Sequence, residues 1–227
     1  MEIVVPPAST LSIYLFGSFS RGEQTPDSDL DLLIITDESR DEAAINDFLN
    51  LNNLASSDVS IYSYNRLKEY FQQGHLFAWH LFLESKILNG LDIISALGEP
   101  KKYKDFENDS IQIIELINSI ILEIEKKDSA SSLNYEAGLL YLSMRNFSHF
   151  FSASFLKNYC FSRFTPYQLN QYSILEVGKT EYEILMRARF SSVRGHAPEK
   201  IKREWLLNTC IKTKTWVNEL IRVSHEI

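Results

Sequence analysis

Two aspartates directly before a short apolar run constrain the fold more than any other feature of this 227-residue chain. Residues 32–35 are all leucine or isoleucine, and Asp29 and Asp31 precede them. Such a run, bounded by polar turn residues, is typical of a buried strand. In an extended chain residues i and i+2 share a face, so the two carboxylates converge about 6–7 Å apart. Burying this pair without a cation costs several kcal/mol, and oxygen-only ligands favour Mg²⁺ or Mn²⁺, so the pattern predicts a divalent-metal site.

Two further segments supply complementary chemistry. Gly17 and Ser18 end an earlier strand pattern at residues 11–16, and Arg21 follows in a polar turn. A glycine lets backbone N–H groups approach a triphosphate closely, while the serine hydroxyl and the arginine can donate to phosphate oxygens. Asp58 begins a third strand pattern at residues 59–62 and completes the metal site if the second and third strands are neighbours.

The pattern along the chain changes from mixed to wholly helical. Strand, loop, strand, helix, strand describes residues 11–62, with Ser39 as the predicted cap of the helix at residues 40–54. Helical spacing follows at residues 65–73 and 75–88, and Asn-Gly and Gly-Glu-Pro mark a break at residues 89–100. The sequence therefore predicts an α+β protein with an amino-terminal mixed sheet and flanking helices, followed by an all-helical bundle.

The order and spacing of these motifs resemble a known superfamily. Leu15-Phe-Gly-Ser18, ten residues, and then Asp29-Leu-Asp31 before an apolar strand are similar to the signature of the DNA polymerase β-like nucleotidyltransferases, the small bacterial members in particular. Asp58 matches the third carboxylate of that family, and the likeness covers roughly residues 11–90. It implies a nucleotidyltransferase domain at residues 1–98 and a helical domain at residues 99–227 for acceptor binding or partner docking.

The resemblance also implies a role for each site residue. Asp29 and Asp31 would bind two Mg²⁺ (or Mn²⁺) ions, and Asp58 would bind the catalytic ion and help deprotonate an acceptor hydroxyl. Gly17 and Ser18 would hold the β- and γ-phosphates of the NTP. Members of the family usually have a helix before the first strand, whereas only about ten residues, two of them prolines, precede it here.

The charge distribution leaves the acceptor open. Residues 1–100 carry 5 basic and 15 acidic side chains, which suits a cationic small molecule or a protein. Arg187, Arg189 and Arg194 concentrate near a glycine and suit an acceptor phosphate, the triphosphate tail or a tRNA end; a solvated loop is the plainer interpretation.

The rest of the sequence indicates an ordinary cytoplasmic protein. It contains no apolar stretch long enough to span a membrane and no basic, then apolar, signal pattern. Cys160 and Cys210 lack the spacing of a zinc site and suit buried thiols in a reducing compartment. A homo-oligomer and a cognate protein partner are both compatible with the sequence.

The motifs and the family resemblance are compatible with two functions. The first is a metal-dependent enzyme that moves an NMP from an NTP to an acceptor hydroxyl of a small molecule, protein or tRNA and releases pyrophosphate. The second is a catalytically quiet nucleotide-binding component of a toxin–antitoxin or defence pair, which would bind nucleotide or protein without releasing pyrophosphate.

Overall fold

A mixed sheet organises the first part of the chain. The computed structural model describes residues 6–24, 30–55, 58–128, 131–156 and 159–226. It divides into two units, Met1–Lys104 and Asp105–Ile227. Among the described residues, four strands form a sheet in the order β3-β2-β1-β4, in which β1 is antiparallel to β2 and β4, and β2 is parallel to β3. The strands are β1 (Thr10–Leu15), β2 (Leu32–Thr36), β3 (Val59–Ser63) and β4 (Lys86–Gly90).

Alternation along the strands gives the sheet two apolar faces. Tyr14 and Leu33 lie on one face and pack with residues of α3, α4 and α5, whereas Ile13 and Ile34 lie on the other and pack with Phe48 of α2. Because both faces are covered, all five residues of β2 are buried. The helices of this unit are α1 (Gly17–Arg21), α2 (Glu42–Leu51), α3 (Tyr64–Gln73), α4 (Leu76–Glu84) and α5 (Ile93–Leu97).

Two local predictions are wrong. The helix expected at residues 75–88 ends at Glu84, and Ile87 pairs with Tyr14 in β4. A short apolar run satisfies either a helix or a strand, and pairing with β1 decides between them. Asp41, not Ser39, caps α2: its carboxylate accepts the N–H groups of residues 43 and 44.

The second unit is helical throughout its described part, as expected. Its long central helix α7 packs against the other four helices and buries Phe147 and Phe151 beside Trp216. Gly138 of α7 lies where α9 crosses, because a Cβ added there would meet Arg189 Cα at 2.9 Å. The helices are α6 (Phe106–Lys126), α7 (Asn134–Phe155), α8 (Thr165–Gln168), α9 (Lys179–Arg194) and α10 (Arg203–Ser224).

None of the helices in the described part of the chain combines the length and apolar character needed to cross a membrane.

Candidate active site

The register of β2 and β3 brings two of the predicted carboxylates together. Leu32 and Val59 are partners in this parallel pair, and Asp31 and Asp58 each lie one residue before their strand's first partner. Neighbouring strands are about 4.8 Å apart. Asp31 and Asp58, both half-buried, therefore directly precede adjacent strands at the same edge of the sheet.

Gly17 packs directly on Asp31. The Phe16 N–H donates to the Asp31 carbonyl at 3.0 Å, which holds the end of β1 against the start of β2. Gly17 has a φ of +68°, and a Cβ there would lie 2.9 Å from Asp31 Cγ and closer still to Oδ2. Glycine is therefore required both by the left-handed backbone and by the close approach of the carboxylate. The sequence predicted a glycine here because a phosphate would approach the backbone closely, but it did not predict the contact with Asp31.

Ser18 follows Gly17 inside the short helix α1 and is buried. Its carbonyl accepts the Glu23 N–H at 2.9 Å, and Gly22 ends the helix with a φ of 72°. The turn that carries Gly17 and Ser18 is thus closed by its own backbone.

Arg21 is held by two carboxylates. Its Nε donates to Glu23 Oε2 at 2.9 Å, and its Nη1 forms an ion pair with Glu84 at the end of α4. Burial by itself lowers the pKa of Arg21, but the hydrogen bonds and charges of the two glutamates outweigh it and raise that pKa. The structure therefore places Arg21 between acidic side chains of its own unit.

Three further groups join Arg21 and Glu84: Ser20, which precedes Arg21 in sequence, and His80 and Lys86, which lie more than 50 residues away and for which the sequence carried no motif. The Nε2 of His80 lies 2.8 Å from Glu84 Oε2, and the Ser20 hydroxyl donates to the Glu84 carbonyl. Lys86 Nζ donates to the Ser20 carbonyl at 2.5 Å. We call this set the α1–α4 clamp: Ser20, Arg21, His80, Glu84 and Lys86.

The donor chemistry of the site fits a hard divalent cation. Asp31 and Asp58 offer carboxylate oxygens only, which suit Mg²⁺ or Mn²⁺ better than zinc. Asp29, the third predicted ligand, lies outside the described residues. Among those that are described, no three His, Cys, Asp or Glu side chains form a group that could hold a metal. Asp31 and Asp58 are therefore the predicted ligands that lie within the described residues.

The predicted arginine cluster belongs to α9 in the second unit. Arg187 Nε donates to Glu199 Oε1 at 2.6 Å, and the main chain of Arg189 lies against Gly138. The side chain of Arg194, the last residue of α9, lies outside the described part of the structure.

One protein family matches about half of the chain. The model of the nucleotidyltransferase domain family matches residues 5–122. The chain therefore belongs to this family, which confirms the resemblance inferred from the motifs and the expected α+β fold. None of the curated proteins matches the chain.

Two solved structures are similar at low identity. The spectinomycin adenyltransferase AAD(9) from Enterococcus faecialis, with ATP and spectinomycin, is 14% identical over 93% of this chain and 92% of its own, with a TM-score of 0.48. A toxin-antitoxin structure with AMP-PNP is 17% identical over 51% of this chain and 88% of its own, with a TM-score of 0.28.

Proposed function

We propose that this protein is a metal-dependent nucleotidyltransferase that moves an NMP from an NTP to an acceptor hydroxyl. The observation that carries the proposal is that Asp31 and Asp58 directly precede paired residues of neighbouring strands, with Gly17 against Asp31. A family that transfers nucleotidyl groups needs carboxylates and a phosphate-binding turn at one point. Here both lie at the same edge of one sheet.

The proposed step is a substitution at the α-phosphorus in which Asp58 accepts a proton. The acceptor oxygen attacks the α-phosphorus, its proton passes to the Asp58 carboxylate, and the bond from the α-phosphorus to the bridging oxygen breaks. Pyrophosphate leaves with that oxygen and its electron pair. Most of the acceleration would come from positioning and charge stabilisation.

Each remaining site residue has a proposed role. Asp29 and Asp31 would hold Mg²⁺ (or Mn²⁺), which supplies neutralising charge to the triphosphate when bound. Gly17 would present its backbone N–H, and Ser18 its hydroxyl, to the β- and γ-phosphates. Arg21 would support the same turn through its ion pair with Glu84.

The acceptor is proposed only by class: a small molecule, a protein or a tRNA. We assign residues 1–98 to nucleotide transfer and residues 99–227 to acceptor binding or partner docking. Arg187, Arg189 and Arg194 would contact an acceptor phosphate, and Arg187 would exchange Glu199 for it. The two free thiols suit a reducing compartment, so we propose that the reaction takes place in the cytoplasm.

The test is a transfer screen. Purified protein is incubated with each α-labelled NTP and Mg²⁺, alone and with host lysate, tRNA or aminoglycosides. Label should move to one acceptor fraction with the wild type and with Asp47→Asn, an exposed control on α2. Asp29→Asn with Asp31→Asn should abolish transfer. Unchanged transfer by the double variant would overturn the proposal, and NTP binding without transfer would assign the protein to the quiet nucleotide-binding alternative.

A further inference from the structure

The α1–α4 clamp is built around one carboxylate. Glu84 pairs with Arg21 and with His80 through its side chain and accepts from the Ser20 hydroxyl through its backbone carbonyl. The side chains of Arg21 and Glu84 are only 20% and 12% exposed. An ion pair this sheltered is screened less by water and salt than a surface pair.

The clamp contacts the chain both before and after the Gly17-Ser18 turn. After the turn, Ser20 and Arg21 contact Glu84. Before the turn, the ring of His80, whose Nε2 lies 2.8 Å from Glu84 Oε2, contacts the ring of Phe16 edge-on with ring centroids 5.5 Å apart. Gly17 and Ser18 lie between these two contacts.

Helix α1 depends on such contacts for its position. It has five residues, and so short a helix has little stability of its own, because helix nucleation is costly. Tertiary contacts therefore decide where the turn lies, and the polar contacts from α4 to α1 converge on Glu84.

We propose that Glu84 is a positioning residue that holds the Gly17-Ser18 turn in the orientation needed to bind the NTP triphosphate. In this clamp, Arg21 supports the turn through its ion pair with Glu84 and does not bind the triphosphate itself. The inference rests on the proposed function. Glu84 contacts Ser20 and Arg21, directly after the turn, so its effect would fall on the β- and γ-phosphates and not on the nucleoside.

The alternative role of Arg21 predicts the opposite result. If Arg21 bound the triphosphate directly, Glu84→Gln would release it from a competing carboxylate and strengthen NTP binding. If Arg21 instead supports the turn through Glu84, the same change loosens the turn and weakens NTP binding. The sign of the change in affinity therefore separates the two.

The experiment compares affinities for a triphosphate and its monophosphate. The Kd values of the tightest-binding NTP and of the matching NMP are measured by calorimetry with Mg²⁺ for the wild type, Glu84→Gln, Arg21→Gln and the double variant. Glu84→Gln should weaken NTP binding about tenfold and leave NMP binding unchanged, and the double variant should be no worse than Arg21→Gln. The control is Glu69→Gln, which breaks the exposed Arg66–Glu69 pair (53% and 52% exposed) and should change neither Kd.

Each other outcome overturns the inference. Tighter NTP binding, equal weakening of NTP and NMP, or no change would each contradict a positioning role for Glu84. If Glu84→Gln does not fold, as judged by its melting curve, Arg21→Lys keeps the charge, loses the fork geometry and must show the same selective loss. A wild type that binds no NTP would instead remove the proposed function, and the inference with it.

Discussion

At the scale of single residues, Gly17 and Asp31 depend on each other. The glycine leaves room for the carboxylate, and the carboxylate occupies the space that any side chain at residue 17 would take. The Gly-Ser motif is therefore also a packing requirement for a predicted metal ligand. A change at Gly17 acts on Asp31 before it acts on phosphate.

Gly17→Ala should lower kcat by about 100-fold, because a displacement of about 1 Å in a catalytic group costs this much. Gly98→Ala is the matched control: Gly98 has a φ of +73° and nothing within 4 Å of an added Cβ. Both variants bear backbone strain of roughly 1–3 kcal/mol, but only the first should lose transfer. Equal activity of the two would show that Asp31 does not need the space.

Asp58→Asn tests the proposed base. Loss of a general base should lower kcat by about 10²–10⁴-fold and leave the Kd of the NTP little changed, since Asp29, Asp31 and the Gly-Ser turn remain. Steady-state kinetics together with equilibrium binding separate the two effects. A variant with wild-type kcat would remove Asp58 from the mechanism.

The two cysteines should differ in reactivity. Burial raises the pKa of the Cys210 thiol from 9.0 to about 12, whereas Cys160 is half-buried. Cys210 therefore keeps its proton in the folded protein where the unfolded chain loses it, so its contribution to stability falls as pH rises from about 9 to 12. Mass spectrometry after alkylation at pH 8 should find label on Cys160 alone in the native protein and on both after denaturation; rapid native labelling of Cys210 would contradict its burial.

At the scale of elements, local sequence pattern predicts some strands, whereas long-range pairing determines another. Strands β1, β2 and β3 were predictable because their apolar runs are bounded by turn residues. Strand β4 was not, because Ile87 and Leu88 continue the apolar character of α4 and become a strand only through pairing with β1. Its last residue, Gly90, lies against the backbone of residues 11 and 12, a contact no local pattern encodes.

The crossing of α7 and α9 gives a prediction at this scale. Gly138→Val should lower the free energy of unfolding by about 1–3 kcal/mol, because the side chain meets the Arg189 backbone. Leu122→Val, on an exposed face of α6, should stay within about 0.5 kcal/mol of wild type. Denaturant titrations measure both, and a wild-type midpoint for Gly138→Val would mean that the helices cross less closely.

At the scale of the whole molecule, the motif predicted the family and the carboxylates but not what supports them. Asp31 and Gly17 could be found because they lie in one short segment. The clamp could not, because Arg21 and Glu84 are 63 residues apart and meet only when α4 packs on α1. The sequence does not identify the acceptor, because the helical unit carries no motif specific to one class of acceptor.

The division into two units predicts that residues 105–227 fold alone. Helix α6 buries Ile117, Ile120 and Ile124, and it packs on α7 and α10 within the same unit. A fragment of residues 105–227 should give a helical circular dichroism spectrum and a cooperative melt. A fragment of residues 128–227, which lacks α6, should not; a cooperative melt of the shorter fragment would show that α6 is dispensable to this core.

A nucleotidyltransferase passes the α-phosphoryl group of the NTP to the acceptor. Parallel reactions with α-labelled and γ-labelled NTP, run with the acceptor fraction found in the screen, test whether this protein does so. We expect the α-label to stay on the acceptor and the γ-label to be released in pyrophosphate. A γ-label on the acceptor, or its release as orthophosphate, would make the protein a kinase or a hydrolase and overturn the proposed function.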